Sequence, residues 1–159
     1  MQDLKSNLKE FISNIENNII SKNEIVIGFL SHEVIEFLAS VSIIVETKEI
    51  YLSVKAYKHI QRDFKKRLKK SVSKEVMLNL YRSFELPYKI FFDSEKKHCN
   101  LIYVDRENEL LFKVVVQPNY IAKKGIINMI ITAGIIDESA LKSKFYKEIT
   151  EHGWELNPR

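Results

Sequence analysis

The sequence has few of the residues that cross-link or interrupt a chain. Its 159 residues include one cysteine, four glycines and three prolines. A single cysteine, Cys99, excludes an internal disulfide and gives no sign of an oxidising compartment. Because glycine and proline are scarce, the turns must be built largely from Asn, Asp, Ser and Lys. No linker rich in glycine or proline divides the chain.

Long hydrophobic runs and common cofactor motifs are also missing. The apolar runs "IVIGFL", "VSIIV" and "IINMIITAGII" fall short of the roughly 20 residues of a membrane span. The amino terminus is amphipathic and lacks the apolar segment of a signal peptide. The four histidines are scattered, and there is no P-loop, GxGxxG or GxSxG. We therefore expect a cytoplasmic protein with no membrane partner, no metal site and no cofactor.

The order of the remaining patterns predicts the fold class. Apolar residues recur at helical spacing over residues 3–20, and Ser31, Ser53 and Ser73 stand where helix N-caps are expected. From Pro87 onward, four runs rich in β-branched and aromatic residues are separated by polar turns, and Asp137 precedes a last helical pattern, "ESALKSKFYKEI". Helices followed by consecutive strands predict an α+β fold.

The predicted architecture is a set of amino-terminal helices packed on an antiparallel sheet of about four strands, with a carboxy-terminal helix. We divide the chain into an amino-terminal helical appendage (residues 1–24), a single α+β domain (residues 25–150) and a polar tail (residues 151–159).

Positive charge is concentrated in one stretch. The chain carries 25 Lys and Arg against 21 Asp and Glu, a formal charge of +4, but between Lys55 and Lys74 the only acid is Asp63. Charge of this density attracts polyanions, of which nucleic acid is the commonest inside cells. We identify five lysines of this stretch as candidates for binding RNA: Lys55, Lys58, Lys66, Lys69 and Lys70.

The helix predicted after Ser53 has two distinct faces. Its apolar stripe contains Ala56, Ile60, Phe64 and Leu68, and Lys55, His59, Arg62 and Lys66 fall within an arc of roughly 60° on another side. An ordinary solvent-exposed basic face explains this pattern as well as a phosphate-binding face does.

Polar residues within two apolar strands extend the candidate site. Lys113 interrupts "LLFKVVV", where it marks either a sheet edge or a contact with an anion. Asn128 and Thr132 share a face of "INMIITAG", and each needs a hydrogen-bond partner if it is buried. With the helix, these strands predict a phosphate pocket that contains His59, Arg62, Lys113 and Thr132.

These segments resemble the phage- and mobile-element-associated branch of the barnase, EndoU, colicin-type and RelE-like (BECR-fold) nucleases. The resemblance is carried by "IYLSVKAYKHIQRDF", "LPYKIFFD", "LIYVDRENELLFKVVV" and "INMIITAG" and spans roughly residues 25–145. It implies metal-independent cleavage of RNA by a toxin-like or effector-like protein, with tRNA or another cellular RNA as substrate and an immunity or antitoxin protein as a possible partner.

The resemblance assigns catalytic roles to His59, Arg62, Lys113 and Thr132. Many members carry a second histidine close after the first, where this chain has Arg62 or Asp63. The second acid–base group therefore stays open among Asp63, Glu46 and Tyr57, and a base-stacking role stays open among Tyr57, Tyr81 and Tyr103. A non-catalytic RNA-binding or degenerate phage accessory domain of the same fold is the alternative function.

Overall fold

The computed structural model describes residues 3–19, 22–66, 73–95, 99–107 and 109–149, without the side chains of residues 63–66 and 107. In these ranges the helices are α1 (Leu4–Glu16), α2 (His32–Ser40), α3 (Val54–Lys66), α4 (Lys74–Leu78) and α5 (Arg82–Glu85). The strands are β1 (Glu24–Phe29), β2 (Glu49–Ser53), β3 (Lys89–Asp93), β4 (Asn100–Glu107), β5 (Leu110–Ala122), β6 (Gly125–Ile136) and β7 (Tyr146–Glu148).

The strands form one mixed sheet in the order β1-β2-β6-β5-β4-β3-β7. The run from β3 to β6 is an antiparallel meander, as predicted, in which each strand pairs with the next along the chain. Strand β2 pairs with β6 in parallel, through Ile50–Asn128 and Tyr51–Met129. The α+β class is confirmed.

Two finer features of the predicted fold are wrong. The sheet has seven strands and is mixed, whereas we expected about four antiparallel strands, because β1, β2 and β7 join the meander through pairings distant in sequence. The expected carboxy-terminal helix is a short 3₁₀ turn (Glu138–Lys142) followed by β7. Residues of β7 pair with Phe91–Asp93 of β3, so the backbone of that segment hydrogen-bonds to a sheet edge and not within a helix.

The predicted helix caps are confirmed at three serines. The Oγ atoms of Ser31, Ser53 and Ser73 accept hydrogen bonds from the backbone N–H three residues later, at 3.3, 3.0 and 3.2 Å respectively. The single helix expected after Ser73 is instead the two short helices α4 and α5.

The two faces of the sheet carry separate apolar clusters. The main core lies on the face covered by helices and includes Val114, Val116 and Ile130 of the sheet with Ala56 and Ile60 of α3. A smaller cluster on the second face includes Leu111, Val115, Phe91, Ile102 and Val104. Successive residues of a strand point to opposite faces, so this division follows from the alternation in β4 and β5.

Helix α1 contributes to the main core with four buried side chains, Leu8, Phe11, Ile12 and Ile15. This helix lies within the segment that we treated as an appendage. The predicted polar tail, residues 151–159, lies outside the described residues. None of the described helices is long and apolar enough to cross a membrane.

Candidate functional site

Helix α3 presents the histidine and part of the basic stretch at the surface. Ala56, Tyr57 and Ile60 are buried against the sheet and α1, which fixes the rotation of the helix. Lys55, Lys58 and Arg62 are exposed and His59 is half-buried. The side chain of Lys66 and all of Lys69 and Lys70 lie outside the described residues. The cationic face of α3 is therefore defined here by Lys55, Lys58 and Arg62.

The side chains of His59 and Arg62 contact each other directly. Arg62 Nη2 lies 2.9 Å from His59 Nδ1. Because a guanidinium group has donors and no acceptor, Nδ1 must accept this hydrogen bond. The neutral imidazole then carries its proton on Nε2, so the pair consists of a permanent cation and an imidazole with a fixed tautomer.

The structure places Lys113 and Thr132 together, on the other side of β6 from the main core. Lys113 pairs with Gly134, and Val115 pairs with Thr132. Partners in an antiparallel pair project to the same face, so Lys113 and Thr132 are diagonal neighbours on the face of Leu111 and Val115. The predicted shared face of Asn128 and Thr132 is wrong, because the register shifts between Val115 and Val116 and turns Thr132 to the face opposite Ile130.

The four predicted site residues therefore form two pairs and do not line one pocket. His59 and Arg62 belong to α3, which packs against β6 on the face of the main core. Lys113 and Thr132 belong to the opposite face of the sheet. β6 lies between the two pairs, and β2 leads directly into α3 beside it.

Asn128 is a fully buried structural residue, with 0% exposure. Its Nδ2 donates to the carbonyl oxygens of Thr47 and Glu49 at 2.7 and 2.9 Å, and its Oδ1 accepts from the backbone N–H of Asn119 at 3.3 Å. Asn119 in turn donates to the carbonyl oxygen of Ile44. The two amides thus tie the segment between α2 and β2 to the sheet, as a buried polar group requires.

The tyrosines proposed for base stacking are mostly core residues. Tyr57 and Tyr103 are 3% and 1% exposed, whereas Tyr81 is half-buried. Burial, together with the negative charge of Glu16, raises the pKa of Tyr57, and burial raises that of Tyr103. Both phenols therefore remain protonated in the folded protein at neutral pH.

The side chain of Asp63, a candidate for the second acid–base group, lies outside the described residues.

A cavity of about 290 Å³ lies beside the cationic face of α3, where α1 meets α3. It is lined by Ile15, Glu16, Tyr57, Lys58, Gln61 and Arg62. Glu16 Oε1 accepts from Lys74 Nζ of α4 at 2.6 Å, and Tyr57 Oη lies 3.4 Å from Glu16 Oε2. Sequence reasoning missed this cavity because α1 and α3 are far apart in the chain and no local pattern links them.

The buried amide of Gln61 sets this cavity apart. Gln61 Nε2 is buried and makes no hydrogen bond within the described part of the chain. Such an atom is rare in a folded protein and identifies a place where a polar partner is expected. In the described ranges, the cavity included, no group of three or more His, Cys, Asp or Glu is arranged to hold a metal ion.

Comparison of the chain with protein-family models, with curated proteins and with solved structures found no significant match.

Proposed function

We propose that this chain is a metal-independent endoribonuclease of the toxin or effector type, which holds RNA on the cationic face of α3. The observation that carries the proposal is the contact between Arg62 Nη2 and His59 Nδ1 at 2.9 Å on that face. It joins an imidazole, which can act as an acid or a base, to a guanidinium group that can bind two phosphate oxygens. The resemblance to BECR-fold nucleases supports the same reading.

The chemistry follows from what RNA cleavage needs. In a metal-free reaction the ribose 2′-OH attacks the adjacent phosphorus and the 5′ oxygen leaves, which restricts the substrate to RNA. A base must take the proton of the 2′-OH, a donor must protonate the leaving oxygen, and cations must stabilise the charge on the phosphate.

His59 and Arg62 supply two of these functions. When a phosphate draws the Arg62 guanidinium to itself, His59 Nδ1 no longer accepts the hydrogen bond from Arg62 and can accept the proton of the 2′-OH. Arg62 then stabilises the phosphorane charge with two parallel hydrogen bonds. Lys113 and Thr132 are proposed to contact a neighbouring part of the RNA backbone on the opposite face of the sheet. The substrate would be tRNA or another cellular RNA. An immunity or antitoxin protein would cover the cationic face of α3.

An RNA-binding protein without nuclease activity is the second candidate. The separation of Lys113 and Thr132 from His59 by β6 favours it, because a compact acid–base site needs its groups within reach of one phosphodiester. In this alternative the cationic face of α3 binds RNA and His59 only orients Arg62.

The test is cleavage of total tRNA and rRNA by the purified protein in EDTA, with His59→Ala and His32→Ala variants. His32 is an exposed histidine of α2 and is the matched control. We expect products with 2′,3′-cyclic phosphate ends, a rate lower by at least about a hundredfold in His59→Ala, and no change in His32→Ala.

Three other results have distinct meanings. RNA binding without cleavage by the native protein supports the non-catalytic alternative. Equal cleavage by native protein and His59→Ala contradicts the assigned site. Neither binding nor cleavage of any RNA contradicts both functions.

A further inference from the structure

We propose that the cavity between α1 and α3 is a base-specificity pocket, which receives an unstacked RNA base that carries an exocyclic amino group. This inference rests on the proposed function, because the ligand is a nucleotide of the RNA held on the cationic face of α3. It specifies the part of the RNA that is recognised, a base, and the residues that recognise it, Glu16 and Gln61.

The position of the cavity links it to the phosphate-binding face. Lys58 and Arg62 line the cavity and also belong to the cationic face of α3. A nucleotide whose phosphate contacts Arg62 can therefore place its own or its neighbour's base into the cavity. Single-stranded RNA is commonly recognised in this way, through bases turned out of the stack and hydrogen-bonded along their edges.

The lining suits a flat group with an apolar face and a polar edge. Ile15 and Tyr57 are buried apolar walls, with exposures of 8% and 3%. Gln61 offers a buried amide nitrogen without a partner in the described chain. The volume of about 290 Å³ is close to the lower end, about 300 Å³, of small-ligand pockets.

Glu16 favours a base over a free phosphate. Its carboxylate lines the cavity, and the ion pair with Lys74 at 2.6 Å holds one oxygen in place. A second anion beside this carboxylate would be repelled, whereas an amino group donates to it. Glu and Asp accept from the N4 amino group of cytosine in the same manner. Uracil presents a carbonyl oxygen at that position, so the pocket discriminates between the two pyrimidines.

The experiment compares two single-stranded RNA oligonucleotides of equal length, oligo(C) and oligo(U), by fluorescence anisotropy. The proteins are the native chain, Glu16→Ala, Gln61→Leu and the control Glu10→Ala, which removes the same charge from another face of α1. We expect the native protein to bind oligo(C) at least about fivefold more tightly than oligo(U). Glu16→Ala and Gln61→Leu should reduce that ratio to below about twofold, and Glu10→Ala should leave it unchanged.

The outcomes separate this inference from the proposed function. Equal affinity of the native protein for both oligonucleotides, or a preference that survives Glu16→Ala, overturns the specificity pocket and leaves RNA binding intact. Absence of binding to these oligonucleotides and to total tRNA contradicts RNA binding, and the pocket with it. Because Glu16 is exposed, its replacement tests the pocket even if Gln61→Leu impairs folding.

Discussion

Two buried polar side chains, Asn128 and Tyr103, differ in whether they have hydrogen-bond partners. Asn128 makes three hydrogen bonds: it donates to the carbonyl oxygens of Thr47 and Glu49 and accepts from the backbone N–H of Asn119 in β5. Tyr103 is exceptional, because its hydroxyl oxygen is buried and makes no hydrogen bond in the described part of the chain. Its ring packs edge-on against Phe84, with ring centroids 4.8 Å apart. The ring therefore stabilises the core and the hydroxyl group does not.

Replacing Tyr103 with Phe should stabilise the protein. It keeps the ring contact and removes an unpaired buried hydroxyl, so we expect the free energy of unfolding at pH 7 to rise by about 1 kcal/mol. Urea titration followed by circular dichroism measures this difference. Tyr120→Phe is the control, since Tyr120 is only half-buried. A loss of more than about 1 kcal/mol in Tyr103→Phe would mean that the hydroxyl has a partner.

Tyr103 also makes the free energy of unfolding depend on pH. Burial raises the pKa of Tyr103 above its unfolded value of about 10, so the folded state retains the proton longer than the unfolded state. Ionisation of this group therefore leaves the free energy of unfolding unchanged below pH 10 and lowers it as the pH rises above that value. In urea titrations above pH 10, Tyr103→Phe should therefore lose less stability than the native protein.

Helix α3 carries exposed lysines beside the pair of Arg62 and His59. Lys55 and Lys58 are exposed on the same helix as Arg62, and their replacement leaves His59 intact. Each phosphate contact with single-stranded nucleic acid adds about 0.7 to the slope of log affinity against log salt. The double variant Lys55→Ala/Lys58→Ala should therefore weaken RNA binding and lower the slope by about 1.4, which is about 0.7 for each lysine.

The matched control for this variant is Lys5→Ala/Lys9→Ala, which removes the same charge from exposed positions of α1. It should leave the salt slope of RNA binding nearly unchanged, because a non-specific effect of net charge is screened within about 10 Å at 0.1 M salt. Equal slopes for both double variants would show that α3 has an ordinary solvent-exposed basic face.

Helix α1 connects the main core of the protein with the cavity beside α3. Its side chains lie in the same core as those of the sheet and α3, and its Glu16 lines the cavity. If the helix is part of one cooperative unit, Ile12→Ala should lower the free energy of unfolding by about 2–5 kcal/mol in a single transition.

Ile19→Ala serves as the control for this prediction. Ile19 is 54% exposed, so its replacement should change stability by no more than about 0.5 kcal/mol. If Ile12→Ala unfolds α1 in a separate early transition and leaves the main transition unchanged, residues 1–24 behave as an appendage to the domain.

The local elements of this protein could be predicted from its amino-acid pattern. Ser31, Ser53 and Ser73 cap helices because their hydroxyls bond to N–H groups three residues away, and the meander from β3 to β6 follows from alternation between nearby turns. The exposed cations of α3 also follow from helical periodicity. These features depend on contacts between residues that are close in the chain.

The features that depend on contacts between distant segments could not be predicted and are seen only in the folded chain. Tertiary structure added β1, β2 and β7 to the sheet, since strand pairing is set by backbone groups that any sequence provides. It placed Thr132 on the face of Lys113, opposite His59, because the register shift between Val115 and Val116 separates Thr132 from the face of Ile130. It also brought Glu16 of α1 to Tyr57 of α3, and so formed the cavity that no local pattern indicates.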